Sequence, residues 1–457
     1  MTEIFLLAFF SAILVLGLRR PFLWVLLYLY VDIVSPNKVG TQILTHIPMS
    51  LIAFGAVFAG WILFDTTKKQ ARFGVRQGLM IALLGYCLMT TITADFADTA
   101  WEKWAWVWKT LIFAAFLPMT ITTRVRLESA VLFYILALGT IVINGGVKTV
   151  FGGGGYDTLR LLVDNNSGLY ESSTIACAAI TAIPLMWWLA SYGTVFPRNW
   201  QTKVFAIGYT FAAALIPIGT SARTGLVCLA VFAGLLILQM KNRLAYGFLL
   251  GTALVISVPF LPASFTERME TIVNFQSDES ASSRVAVWKW TVDYAVDNPK
   301  GGGFTAYRSN SFSYKTRTVN EGSSSEVITE QKVVDEARAY HSSYFEMLGE
   351  QGWIGLGLFL ALHILGLSQM QKVKRRWKGK EAEHECWVSP LALALQQAHL
   401  IYLVGATFVG IAFQPFIMIV MGLQIALWSY TKRLDSKAKE GDRITRRPAR
   451  GPVPAMP

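Results

Sequence analysis

Arg338-Ala-Tyr-His-Ser-Ser-Tyr-Phe-Glu-Met-Leu-Gly-Glu-Gln-Gly-Trp-Ile-Gly355 marks the point where a long polar stretch gives way to an apolar one. The apolar run continues to about residue 368. That is enough to cross a bilayer, which takes roughly 17–25 residues of helix. The segment therefore reads as a water-exposed loop entering a membrane span, with His341 at the junction.

Outward from this junction the same pattern recurs. Of 457 residues, 53% are hydrophobic and only 15% are charged, whereas a soluble chain is typically about 25% charged. Apolar runs fall near 4–18, 21–34, 46–64, 78–94, 104–121, 127–145, 171–192, 203–219, 223–240, 244–262, 342–368, 388–411 and 413–430. The expected fold is an all-α polytopic membrane protein with 12–13 transmembrane helices and one long external loop. It divides into N-terminal transmembrane helices (1–262), the loop (263–341), C-terminal transmembrane helices (342–430) and a basic tail (431–457). The first apolar run has no positive segment before it, and Arg19 and Arg20 follow it, so it reads as a retained span.

The formal charge of +12 does not call for nucleic acid, because of where the charge lies. Arg19/Arg20, Lys68/Lys69/Arg72/Arg76, Arg124/Arg126, Arg198/Lys203, Lys241/Arg243 and the run from Lys372 to Lys380 occupy alternate connections, and the tail is also basic. Alternating spans put all of them on one side, which the positive-inside rule makes cytoplasmic. Membrane lipid is then a sufficient partner for the basic loops. The Gly-rich connection ending at Asn166, the turn Gly219–Gly225 and the 263–341 loop face the other side, so chemistry is expected there.

In that loop, residues 282–296 read as a helix, with Val285, Trp288, Val292 and Ala295 at helical spacing. Trp288, Trp290 and Tyr294 suit a membrane interface. The Ser-, Thr- and Asn-rich stretch that follows, to about Gln331, reads as mobile.

Arg223 stands between two spans. It can snorkel to the interface, or it can bind an anion through the bidentate fork of its guanidinium. Arg284, beside Ser282 and Ser283, is either a solvated helix-start residue or a second such group on the same side. His341 can serve as a proton acceptor near neutral pH. Its neighbours also carry a structural reading, since Ser343 followed by Glu346 fits a capping box. His363 and His399, inside spans, read as structural, and so do Cys87, Cys177 and Cys228; His384 beside Cys386 makes no metal site. There is no phosphate-binding loop with GK[ST], no HExxH, no GxSxG and no Asp-x-Asp pair.

Several blocks together resemble the bacterial O-antigen ligase and polymerase superfamily, most closely the O-glycosylation ligases associated with exosortase systems. They are Leu18-Arg-Arg-Pro-Phe, Asp164-Asn-Asn-Ser, Ser221-Ala-Arg-Thr-Gly-Leu, Arg284-Val-Ala-Val-Trp, Asn298-Pro-Lys-Gly-Gly-Gly-Phe and Tyr340-His-Ser-Ser-Tyr-Phe-Glu-Met-Leu-Gly-Glu-Gln-Gly, in the family's order over nearly the whole chain. Two details depart from the pattern. Tyr340 replaces the usual Ala before the His, and Ala222 separates Ser221 from Arg223.

The resemblance implies a GT-C-like glycosyltransferase of the bacterial inner membrane, with its site facing the periplasm. It would move a glycan from a polyprenyl (undecaprenyl) diphosphate to an acceptor hydroxyl on lipid, protein or another glycan. The reaction would be inverting and would use no metal or cofactor. His341 matches the family's general base, and Arg223 and Arg284 match its diphosphate-binding arginines. Arg160, Asn165, Asn166 and Arg338 are further candidates. The rival class is a flippase or transporter of lipid-linked glycan, which paired charges deep in several spans or inverted repeats would favour.

Overall fold

A computed structural model describes residues 2–39, 42–65, 73–152, 168–257, 279–319, 328–379 and 385–445. Each apolar run named above corresponds to a helix. The helices are α1 (Thr2–Arg19), α2 (Phe22–Val34), the short α3 (Pro36–Val39) and α4 (Ile43–His46), α5 (Met49–Phe64), α6 (Val75–Ile92), α7 (Ala97–Thr120) and α8 (Arg124–Gly152). They continue with α9 (Ser172–Tyr192), α10 (Trp200–Gly219), α11 (Arg223–Ile237), α12 (Arg243–Ser257), α13 (Glu279–Asp297), α14 (Ser343–Trp377), α15 (Val388–Gly405) and α16 (Pro415–Thr445). Among the described residues six are long and apolar enough to cross a membrane: α6, α8, α9, α10, α14 and α15. Helices α2, α5 and α11 are apolar but shorter. The protein is an all-α polytopic membrane protein.

Helix α9 is the centre of the bundle. It is 89% buried and packs against α8, α10, α11 and α15. Its small residues, Ala176, Ala178, Ala179 and Ala182, are fully enclosed and let neighbouring backbones approach closely. The four described cysteines form no disulfide, and Cys87, Cys177 and Cys228 pack as small apolar groups.

The basic connections meet at one end of this bundle. Arg126 pairs with Asp65 at 2.7 Å and Arg376 with Asp435 at 2.7 Å. Arg124 pairs with Glu128 at 2.8 Å and lies over the Trp387 ring. Glu128 also accepts from the Thr194 backbone at 2.8 Å, and Arg433 donates to the Thr122 carbonyl at 3.2 Å. Arg76 departs from the expected pattern. It is 1% exposed and points into the bundle, because its guanidinium reaches Gln424 on α16. Lys68, Lys69 and Arg72 lie outside the described residues, as do residues 263–278, His384 and the end of the tail.

The loop region corrects two expectations. The stretch read as mobile contains regular structure, an antiparallel hairpin of β1 (Ser311–Val319) with β2 (Ile328–Glu336), registered from Ser311 opposite Glu336 to Val319 opposite Ile328. Neither strand contains an apolar run long enough to announce it. Helix α13 forms where expected but buries another face. Ser283, Val287, Thr291 and Ala295 are enclosed, while Val285 and Val292 are 53% and 38% exposed. Trp288 packs onto the chain beside His341 and does not simply rest at an interface: it donates to the Tyr340 carbonyl at 2.8 Å and stacks on Phe345.

Helix α13 is docked by a break in α14. Gly352 has φ 60°, and a Cβ there would sit 2.2 Å from the Pro299 carbonyl oxygen. The interruption frees backbone groups that the turn after α13 takes up. Gly302 and Gly303 donate to the carbonyls of Gly349 and Glu350 at 3.0 and 2.9 Å, and Trp353 donates to Pro299 at 3.2 Å. Asp95, before α7, donates its backbone N–H to Gly302, and its carboxylate accepts from Tyr294 at 2.5 Å.

Candidate active site

Residues just after the Gly-rich connection, the turn at Ser221–Thr224 and the long loop share one cavity of about 420 Å³. Arg223, Arg284, Arg338 and His341 all line it, although they come from three separate parts of the chain. Arg160, Asn165 and Asn166 lie outside the described residues.

Arg223 is the first residue of α11, after a tight turn in which Ser221 has φ 50°. That turn closes with Ala222 donating to the Pro217 carbonyl at 2.9 Å. Arg223 is half-buried, neither free in water nor lost in the core. Arg284 is in the α13 segment, next to the enclosed Ser283. Arg338 is braced by Asp335 at 3.0 Å and by the Ser283 hydroxyl at 3.1 Å.

His341 has φ 48°, an uncommon backbone region for a residue with a side chain. Such a conformation persists where its surroundings over-determine it, and they do so here. The Asn310 side chain holds Arg338 by its N–H (2.9 Å) and its carbonyl (2.7 Å). Trp288 holds the Tyr340 carbonyl, and the Ser343 N–H donates to the Ala406 carbonyl at 2.8 Å.

The capping box at Ser343 and Glu346 is not formed. The N-cap of α14 is Ser342, with no side-chain cap. Ser343 Oγ donates to the Val409 carbonyl at 2.9 Å and accepts from the Ile411 N–H at 2.8 Å, so the turn after α15 has taken it up. Glu346 is taken by Lys103 at 2.6 Å and by the Ala412 N–H at 3.2 Å.

Burial pushes the His341 imidazole down to a pKa of about 4, with the Arg284 and Arg338 charges acting in the same direction and Glu171 opposing them. The ring is thus neutral at pH 7. A negatively charged ligand between the arginines would cancel part of their effect and make the ring more basic.

Sequence reasoning missed the far wall. Lys103 on α7 bridges Glu346 and Glu350 on α14, at 2.6 and 2.7 Å, and Glu350 also accepts from the Thr305 N–H at 3.0 Å. The available signal was two carboxylates four residues apart at the head of an apolar span. Glu171 was also missed. It is the N-cap of α9, accepting from the Thr174 N–H at 2.7 Å, and it reaches the cavity because the central helix starts there. Among the described residues no group of three or more His, Cys, Asp or Glu is placed to hold a metal ion.

The cavity can therefore do three things. Cationic forks can hold an anion, a neutral imidazole can accept a proton, and a braced acidic wall can accept hydrogen bonds. Residues 208–360 match the O-antigen ligase family, and residues 1–194 match a family of unknown function. No curated protein matches the chain.

Proposed function

We propose that this chain, whose residues 208–360 match the O-antigen ligase family, transfers a glycan from a polyprenyl diphosphate to an acceptor hydroxyl. The observation that carries the reading is the convergence of Arg223, Arg284 and His341 on one cavity. Arg223 and Arg284 bind the diphosphate, with Arg338 beside them. The acceptor oxygen attacks the anomeric carbon as the bond from that carbon to the phosphate oxygen breaks. The diphosphate leaves with the electron pair, and its growing charge is stabilised by the fixed guanidinium groups. His341 takes the proton from the attacking hydroxyl and passes it to water. One attack from the opposite face inverts the anomeric centre.

The donor itself completes the base. Without ligand, His341 titrates at about 4, too low for strong proton acceptance near neutrality. The arriving diphosphate raises that value by neutralising Arg284 and Arg338. Proton removal is then tied to occupancy of the anion site.

In this reading the cavity faces the periplasm, the basic end of the bundle faces the cytoplasm, and the membrane is the bacterial inner membrane. The reaction uses no divalent metal, since fixed arginines carry the role a metal would have at the leaving group. The acceptor hydroxyl is carried by lipid, protein or another glycan. The test is reconstitution of the purified protein with a defined lipid-diphosphate oligosaccharide and each acceptor class in turn, with and without EDTA. Glycan on one acceptor, EDTA-insensitive, is expected. Donor moved across the bilayer but never consumed would make it a flippase instead.

A further inference from the structure

A second polar cluster lies inside the bundle, away from the cavity. Arg76, His363, His399 and Gln424 come from α6, α14, α15 and α16, and are 1%, 2%, 0% and 0% exposed. Arg76 Nη2 donates to Gln424 Oε1 at 3.0 Å. Gln424 Nε2 meets His399 Nδ1 at 3.0 Å, and His399 Nε2 meets His363 Nδ1 at 2.5 Å. The packing is built around the guanidinium: a Cβ on Gly366 would sit 2.7 Å from Arg76 Nη2.

The direction of every hydrogen bond follows from Arg76. A guanidinium only donates, so Gln424 turns its oxygen to Arg76 and its NH₂ to His399. His399 Nδ1 then accepts, its Nε2 carries the hydrogen, and His363 Nδ1 accepts from it. His363 Nε2 is left as a donor. Arg76 Nε, Arg76 Nη1 and His363 Nε2 are all buried without a hydrogen-bond partner among the described residues. The network thus leaves over donors only, together with one full positive charge. The Gln369 carbonyl oxygen, three residues along α14 from Gly366, is also unpartnered. It is neutral and does not cancel charge.

A guanidinium stays charged at any ordinary pH, and an uncompensated charge in a bundle interior is costly. No carboxylate pairs with Arg76 among the described residues. We propose that a small monovalent anion of the halide class is bound against Nε and Nη1 of Arg76. Enclosure selects the class. With Arg76 1% exposed, a lipid headgroup has no way in, and the ion must shed its water, which halides do more readily than phosphate or sulfate.

The test is thermal unfolding of the full-length protein in neutral detergent, with sodium chloride or bromide replacing sodium gluconate at constant ionic strength. The midpoint of the natural protein should rise with halide, growing with the logarithm of its concentration above saturation. Arg76→Gln should show no such dependence. Equal midpoints in chloride and gluconate, or the same halide dependence in Arg76→Gln, would overturn the site. If that variant does not accumulate, anomalous scattering from bromide-grown crystals of the natural protein decides. A bromide peak beside Arg76 supports the proposal, and no peak there removes it.

Discussion

His341 is held in a left-handed backbone conformation by bonds on both sides of it, and that separates a structural role from a chemical one. Asn tolerates this region of backbone space better than Ala does, so His341→Asn removes the base while sparing the turn. With the capping box absent, the proposed mechanism requires transfer to fall by roughly 10²–10⁴-fold, the usual contribution of general base assistance. Donor binding should persist. A purified His341→Asn protein turning over at the natural rate, with donor and acceptor saturating, would leave His341 without a chemical role. The pH dependence sharpens this. kcat/KM reports the ligand-free enzyme, in which protonation of His341 occurs at about 4. The rate should therefore hold as pH falls from 7 and be lost only as it passes through about 4. Arg284→Gln removes one of the charges that depress the imidazole, so its acid limb should move up toward the ordinary His value near 6.5. The limb in kcat, where diphosphate is bound, should lie above that in kcat/KM. A limb that stayed put in Arg284→Gln would disconnect the two residues.

At the scale of elements, the site depends on how α13 and its turn are fastened to α14. The break at Gly352 lets Pro299, Gly302 and Gly303 bond to the α14 backbone. Gly352→Ala places a side chain against the Pro299 carbonyl in a backbone region that costs about 1–3 kcal/mol. It should lower the unfolding midpoint and make the 298–304 turn more readily cleaved by protease. Gly357, on the same helix with nothing within 4 Å of its position, is the control. Gly357→Ala should be neutral or slightly stabilising, because Ala is the better helix former. Equal behaviour of the two variants would show that the docking contributes little. These relations also mark where single-sequence reading stops. Apolar runs located helices, six of them long and apolar enough to cross a membrane among the described residues, because length and hydropathy are local properties. Alternating basic connections grouped Arg223, Arg284 and His341 on one side, because topology follows from counting. The buried face of α13 was not legible, since it is chosen by Gly352 and the α14 backbone. Nor was the fate of Ser343, which was drawn into a turn 66 residues later. The hairpin was hidden because its strands are paired by backbone and carry few apolar residues.

For the whole molecule, the two ends of the bundle make a prediction about sidedness. Ser311, on the hairpin, and Ser436, near the end of α16, are both exposed. In a Cys386→Ser background, which leaves only the buried cysteines 87, 177 and 228, Ser311→Cys should react with an impermeant maleimide in intact spheroplasts. Ser436→Cys should react only after the membrane is opened. The reverse pattern would invert the topology and put the cavity in the cytoplasm. The Lys103 bridge raises a matter of timing. Its first carboxylate, Glu346, lies 243 residues later in the chain. At about 5–20 residues per second of synthesis, the ammonium waits for roughly 10–50 s before its partner leaves the ribosome. During that interval α7 presents an uncompensated charge to whatever machinery is inserting it. A chain truncated before α14 never resolves it. The bridge that steadies the finished cavity is therefore among the last of its contacts to close, and it closes only once α14 is in place.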